Sequence, residues 1–184
     1  LALGAGGPFS DGAADGHHGA LAVNRASVLV VGGGIGGLAA ALAGARAGVP
    51  VQLFERNPAF AEVGAGIQLG PNVTRILHGW GLQKELEAVA AYPDQLVIRS
   101  ADTAAVLGAL RLGAQAKARY GAPYATVHRA DLHGLLLQKV QATTDAALHL
   151  GQPITGFEQD ETGVCLHHAD GRQSSGALLV GADG

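Results

Sequence analysis

The chain alternates short apolar runs with glycine-rich breaks, and the length of each run predicts an element. Ser27-Val-Leu-Val-Val31 is continuous and β-branched, the pattern of a strand buried on both faces of a parallel sheet. Gly32-Gly-Gly-Ile-Gly-Gly37 follows it. The stretch from Leu38 to Ala47 is almost pure alanine and leucine, helix formers whose small side chains let a helix lie close to a sheet. Gly48-Val-Pro50 ends that helix, and Val51-Gln-Leu-Phe54 is a second short strand. Residues 27–54 therefore spell strand, glycine turn, helix, strand. Such a βαβ unit is expected to have parallel, adjacent strands and a right-handed crossover.

Beyond this unit the pattern predicts helices over 72–79 and 82–90, parted by Gly79-Trp-Gly81, and strands over 95–99 and 106–112. Leu132, Leu135, Leu136 and Val140 mark a helix from Arg129 to Ala142. Strands are expected at 147–150, 154–159, 164–168 and 177–180, with Asp170-Gly171 as the turn of a hairpin joining the last two. Residues 1–24 show no apolar period and are expected to form a disordered tail, so that residues 25–184 make the folded domain. His17-His18 lies in that tail and reads as composition rather than a metal site.

Composition narrows the function class. A chain of 184 residues with 48% apolar and 15% charged residues can bury one core and leaves little room for two. Its net charge is −3 and it has no Lys/Arg-rich run, which argues against a nucleic-acid partner. The single cysteine, Cys165, excludes an internal disulfide and suits a reducing compartment. No stretch reaches the roughly 18 apolar residues of a membrane span. A cytoplasmic protein with no membrane association is expected. The chain has no methionine and starts at Leu1, which leads to the expectation of a fragment or a processed chain.

Of the 29 glycines, those at 32–37 carry the chemistry. Gly32-x-Gly34-x-x-Gly37 is common by chance, but here it follows a predicted strand and opens a predicted helix, where each glycine has a task. Gly32 permits the tight turn, Gly34 lets the backbone approach a diphosphate, and Gly37 lets helix and strand pack closely. A helix starting near Ile35 and Gly36 points unpaired N–H groups and its positive dipole end at the phosphates. No lysine follows, which excludes a Walker loop. Glu55, eighteen residues past Gly37 at the end of the second strand, is placed to accept hydrogen bonds from a ribose diol. These residues predict an ADP-containing dinucleotide and do not choose between NAD and FAD.

The longer pattern resembles a known family. Glu55-Arg56, then Glu62-Val-Gly-Ala-Gly-Ile-Gln-Leu-Gly-Pro-Asn72, Val127-His-Arg-Ala-Asp-Leu-His-Gly-Leu-Leu136 and Gly181-Ala-Asp-Gly184 are together similar to the group A flavoprotein monooxygenases, with salicylate and 3-hydroxybenzoate hydroxylases nearest. The resemblance covers residues 27–184. It implies a Rossmann-like α/β FAD-binding domain with a parallel sheet, together with part of a β-rich substrate region. It also implies FAD as cofactor, NADH or NADPH as reductant, and hydroxylation of a small aromatic compound with O2. Arg129 is implied to contact the flavin cofactor, Asp183 to help hold it and serve nicotinamide use, Arg56 to lie near the adenosine and Gln68 near the ring. The family's later Gly-Asp motif and substrate-covering sheet have no counterpart here, so the chain alone is expected to be inactive or to oxidise NAD(P)H wastefully. No catalytic side chain is named by these residues.

Three other readings stay open on sequence: another FAD-linked dehydrogenase, oxidase or epoxidase, an NAD(P)-binding Rossmann protein, and a non-catalytic flavin-binding module. His128 and His133 read as structural. His167 and His168 are strand neighbours facing opposite ways, which excludes a shared metal. No Gly-x-Ser-x-Gly elbow occurs, and Ser174-Ser175 reads as a polar turn. No feature fixes the aromatic substrate, the nicotinamide preference or the oligomeric state.

Overall fold

The computed structural model describes residues 27–60 and 64–184. The tail over 1–24, with His17-His18, and Glu62 and Val63 of the glycine-rich stretch lie outside the described residues. In chain order the elements are β1 (Val28–Val31), α1 (Ile35–Arg46), β2 (Val51–Phe54), β3 (Gly66–Leu69), α2 (Pro71–Gly79), α3 (Gln83–Val89), β4 (Ala90–Ala91), β5 (Gln95–Arg99) and β6 (Val106–Arg111). There follow α4 (Gly113–Tyr120), β7 (Ala125–His128), α5 (Arg129–Gln141), β8 (Ala146–His149), β9 (Ile154–Asp160), β10 (Gly163–His168), β11 (Gln173–Gly176) and β12 (Leu178–Gly181).

Four short strands form the parallel sheet, in the order β12-β1-β2-β8. Successive side chains of β1 point to opposite faces. Val28 and Val30 turn toward one core, with Leu38, Ala41 and Leu42 of α1 and with Leu132, Leu136 and Val140 of α5. Leu29 and Val31 turn the other way, toward Phe54, Leu166, Ile154 and Leu179. The molecule is thus layered as helices, parallel sheet, and the antiparallel sheet β11-β10-β9. Leu29, Leu38 and Leu53 are fully buried, and each contributes about 1.5–3 kcal/mol on the usual area scale.

The βαβ unit has the predicted parallel, adjacent strands, with Val28 to Val31 in register with Val51 to Phe54. The hairpin expectation is corrected in part. Asp170-Gly171 does turn the chain, but the strand returning to β10 is the polar Gln173–Gly176, including both serines that read as a turn. The apolar 178–181 segment leaves the hairpin and lies parallel to β1. It is an edge strand and only half buried, rather than a buried central one. The physical reason is pairing: a short valine-leucine strand stabilises a parallel sheet beside β1 more than a hairpin already closed by backbone hydrogen bonds alone.

β3, β7 and β4 form a separate antiparallel sheet, which puts Gly66 opposite His128 and Gln68 opposite Thr126. β5 and β6 pair as an independent hairpin. None of the helices among the described residues is long and apolar enough to cross a membrane.

Candidate functional site

The site is built where β1 ends. Gly32 N–H donates to the Phe54 carbonyl at 2.8 Å, and Ala182 N–H donates to the Val31 carbonyl at 2.7 Å, so the glycine turn is stitched to strands on both sides. Gly32 has φ +105°, a conformation that a side chain strains, and a Cβ there would lie 2.5 Å from the Ala182 carbonyl oxygen. At Gly37 a Cβ would overlap the carbonyl oxygen of Gly32. This is the close helix-to-strand approach that the motif predicts, and it sets the first turn of α1 directly over the end of β1.

Gly34 is the N-cap of α1 and Ile35 its first residue, as the sequence predicts. The cap offers no side-chain acceptor and the first turn holds no acid, so the helix begins with amide donors facing outward. Gly36 is exposed, and a Cβ on it would meet nothing nearer than the Ala182 Cβ at 3.9 Å. The open approach at Gly36 and the positive end of the α1 dipole make this opening one that fits a diphosphate.

Glu55 lies beside it. Its Oε2 accepts from Gly33 N–H at 2.7 Å, and its Oε1 accepts from the Asn57 main-chain N–H at 2.8 Å and from Asn57 Nδ2 at 2.7 Å. The carboxylate is therefore held beside Gly33 at the lip of the cradle. Arg56 is exposed at the start of the loop leading away from β2.

Two further expected residues approach through other elements. Asp183 follows β12, and its main-chain nitrogen is 2.7 Å from where a Gly32 Cβ would stand. Arg129 opens α5, with its N–H donating to the Ala65 carbonyl at 3.2 Å and its aliphatic stem packed on Gly64. His133 stands one helical turn farther along the same face. Its Nε2 lies 2.8 Å from the Gly33 carbonyl oxygen, which brings α5 to the glycine turn. Gln68 is exposed on β3, in the separate small sheet. The structure thus gathers Gly32, Gly34, Ile35, Gly36, Gly37, Glu55 and Asp183 at one edge, with Arg129 a turn from it, and leaves Arg56 and Gln68 at the periphery.

Sequence reasoning reads His133 as structural and assigns no role to Asn57 or Phe60. No local spacing signals His133, whose partner is a main-chain oxygen 100 residues away. His128 is structural as expected: its Nδ1 accepts from Ala130 N–H at 3.3 Å and caps α5.

Behind Glu55, the Phe54 ring stacks on His149 at 4.9 Å and meets His168 edge-on at 5.2 Å. Burial, and then the Arg172 guanidinium, push both imidazoles below the usual histidine range. Hydrogen bonds from Arg172 hold the Asp170 carboxyl below its ordinary value. This cluster joins the ends of β2 and β8 to the antiparallel sheet.

Known proteins share this architecture. The chain is 40% identical over 157 residues to a 6-hydroxynicotinate 3-monooxygenase of Bordetella bronchiseptica, covering 85% of this chain and 40% of that protein. It is likewise 40% identical over 157 residues to a 3-hydroxybenzoate 6-hydroxylase of Polaromonas naphthalenivorans, covering 85% and 39%. Among solved structures, Klebsiella pneumoniae HpxO complexed with FAD and uric acid superimposes with a TM-score of 0.72 at 28% identity, covering 88% of this chain and 40% of that one. The flavin-dependent monooxygenase PieE in complex with FAD and substrate gives 0.71 at 29% identity, covering 89% and 31%. The chain spans about 40% of the length of the relatives it matches. The profile of the FAD binding domain matches residues 25–184, and the chain belongs to that family.

Proposed function

We propose that residues 25–184 hold the ADP half of FAD for an NADH- or NADPH-dependent monooxygenase that hydroxylates a small aromatic compound with O2, in the cytoplasm. In this reading the amides of Gly34, Ile35, Gly36 and Gly37 receive the diphosphate and Glu55 receives the ribose diol. Arg129 adds positive charge beside the α5 N-terminus, Arg56 flanks the adenosine, Gln68 lies near the ring, and Asp183 helps hold the cofactor and serves nicotinamide use. FAD supplies the redox chemistry when bound. The protein's own share is to bind, orient and exclude water. The names of two relatives, a 6-hydroxynicotinate 3-monooxygenase and a 3-hydroxybenzoate 6-hydroxylase, support the substrate class.

The observation that carries the reading is the 2.7 Å hydrogen bond from Gly33 N–H to Glu55 Oε2, which joins the phosphate cradle and the sugar acceptor into one preformed site. Titration of the purified chain with FAD, followed by quenching of flavin fluorescence, tests it. The chain binds FAD in preference to NAD, and Glu55→Gln weakens binding by about tenfold or more, as expected when hydrogen bonds to a charged acceptor are lost. Binding of NAD without flavin, or unchanged affinity in Glu55→Gln, would overturn the assignment. Because the chain spans about 40% of the length of the relatives it matches, we also propose that these 184 residues alone form no hydroxylated product. Product formation coupled to NAD(P)H oxidation by the 184 residues would refute that.

A further inference from the structure

The glycine turn has more freedom than its task allows. Gly32, Gly33 and Gly34 are consecutive, and three glycines in a row form the least restrained backbone a chain can offer. A flip of the central peptides would present carbonyl oxygen rather than N–H to a bound anion. Something outside the segment must select the productive orientation.

The structure places the restraints on Gly33. Its N–H is taken by Glu55 Oε2, and its carbonyl oxygen lies 2.8 Å from His133 Nε2. A carbonyl only accepts, so the hydrogen of this bond is on Nε2. His133 is 5% exposed, and the Phe60 ring packs on its imidazole at 5.5 Å. Phe60 also closes the remaining side, since a Cβ on Gly33 would lie 2.5 Å from its Cε1. Imidazole, carboxylate and phenyl ring therefore surround one glycine, and Asn57 fixes the carboxylate in turn.

We propose that His133 is a positioning residue for the dinucleotide cradle: by donating to the Gly33 carbonyl it sets the orientation of the triple-glycine segment and couples α5, which carries Arg129, to Glu55. The inference rests on the FAD reading above for its ligand and on the hydrogen-bond geometry for its mechanism. His133 itself does not touch the cofactor. Gly33 relays its effect across 100 residues of sequence.

The test compares His133→Phe, which keeps a ring without a donor, with His133→Gln, whose amide can donate from a similar reach. Leu136→Val is the control, a buried change on the same helix that lowers stability without touching the turn. FAD affinity is read by flavin fluorescence, stability by urea unfolding, and the glycine segment by the Gly33 amide signal in nitrogen-15 NMR without cofactor. His133→Phe is expected to lose about tenfold in FAD affinity and to broaden or split the Gly33 amide line. His133→Gln recovers most of both, and Leu136→Val retains wild-type affinity and a single sharp line.

Wild-type affinity in folded His133→Phe, or an affinity loss in Leu136→Val matching its stability loss, would reduce His133 to a core residue. If His133→Phe does not fold, the wild-type imidazole decides: a hydrogen on Nδ1 alone at pH 8 sinks the proposal, and a hydrogen on Nε2 with a sharp Gly33 line in His133→Gln sustains it. A chain that binds no FAD but still shows Gly33 exchange only in His133→Phe would refute the cofactor assignment and leave the positioning role standing.

Discussion

One hydrogen atom is all that position 37 can hold. A Cβ there would overlap the Gly32 carbonyl oxygen, and main chain cannot swing aside as a side-chain tip does. Gly37→Ala is therefore expected to cost at least the roughly 1–3 kcal/mol of ordinary overpacking and to abolish FAD binding. Urea unfolding with a parallel FAD titration measures both, and a variant of wild-type affinity would contradict the packing argument. The opposite mistake of fit sits at Ala104, a non-glycine residue with φ +55° in the β5–β6 loop. Ala104→Gly relieves a strain of about 1 kcal/mol, partly offset by chain entropy, and a thermal melt should rise by up to about 2–4 °C. At this scale the glycines and Glu55 were legible because each belongs to a local spacing rule. His133 was not, since its partner is a main-chain oxygen 100 residues away and no spacing encodes that. Asn57 was hidden differently: an asparagine after a strand looks like any turn residue until the carboxylate it holds is seen.

Among elements, the βαβ unit was readable because its strands are continuous, its helix is alanine-rich and the break between them is all glycine. The polar strand β11 and the short helix α4 were not. β11 has no apolar alternation and exists through its antiparallel hydrogen bonds to β10, while α4 carries lysine, arginine and glutamine with only Ala116 buried. Identity of the partner, not local composition, also decided that residues 178–181 join β1. The clasp of His149 and His168 around Phe54 yields a pH prediction for these layers. Both imidazoles have folded-state values below the unfolded value of about 6.5, so the unfolded chain binds more protons in that range. Their contribution is constant above pH 6.5 and becomes destabilising as pH falls below it. Urea midpoints at pH 8, 6.5 and 5 should drop toward acid, and the double variant His149→Gln with His168→Gln should flatten that drop. An equal slope in both proteins would assign the acid sensitivity elsewhere.

Over the whole molecule, apolar surface is unevenly spent. Leu96, Ile98 and Leu110 are all substantially exposed on one face of the β5–β6 hairpin, apolar surface of the kind that promotes association. The isolated chain is expected to sediment with a concentration-dependent mass, and Leu96→Lys with Leu110→Lys should shift it toward the monomer. If the two proteins sediment alike, the hairpin is not the adhesive. Finally, β1 has β2 on one side and β12 on the other, and the main chain of Ala182 closes over Gly32. A ribosome delivers β1 about 150 residues before β12, an interval on the order of ten seconds at ordinary elongation rates. In the proposed reading the nascent polypeptide carries the dinucleotide cradle with one wall missing throughout that interval, and loading of cofactor is expected only after residue 182 has been translated.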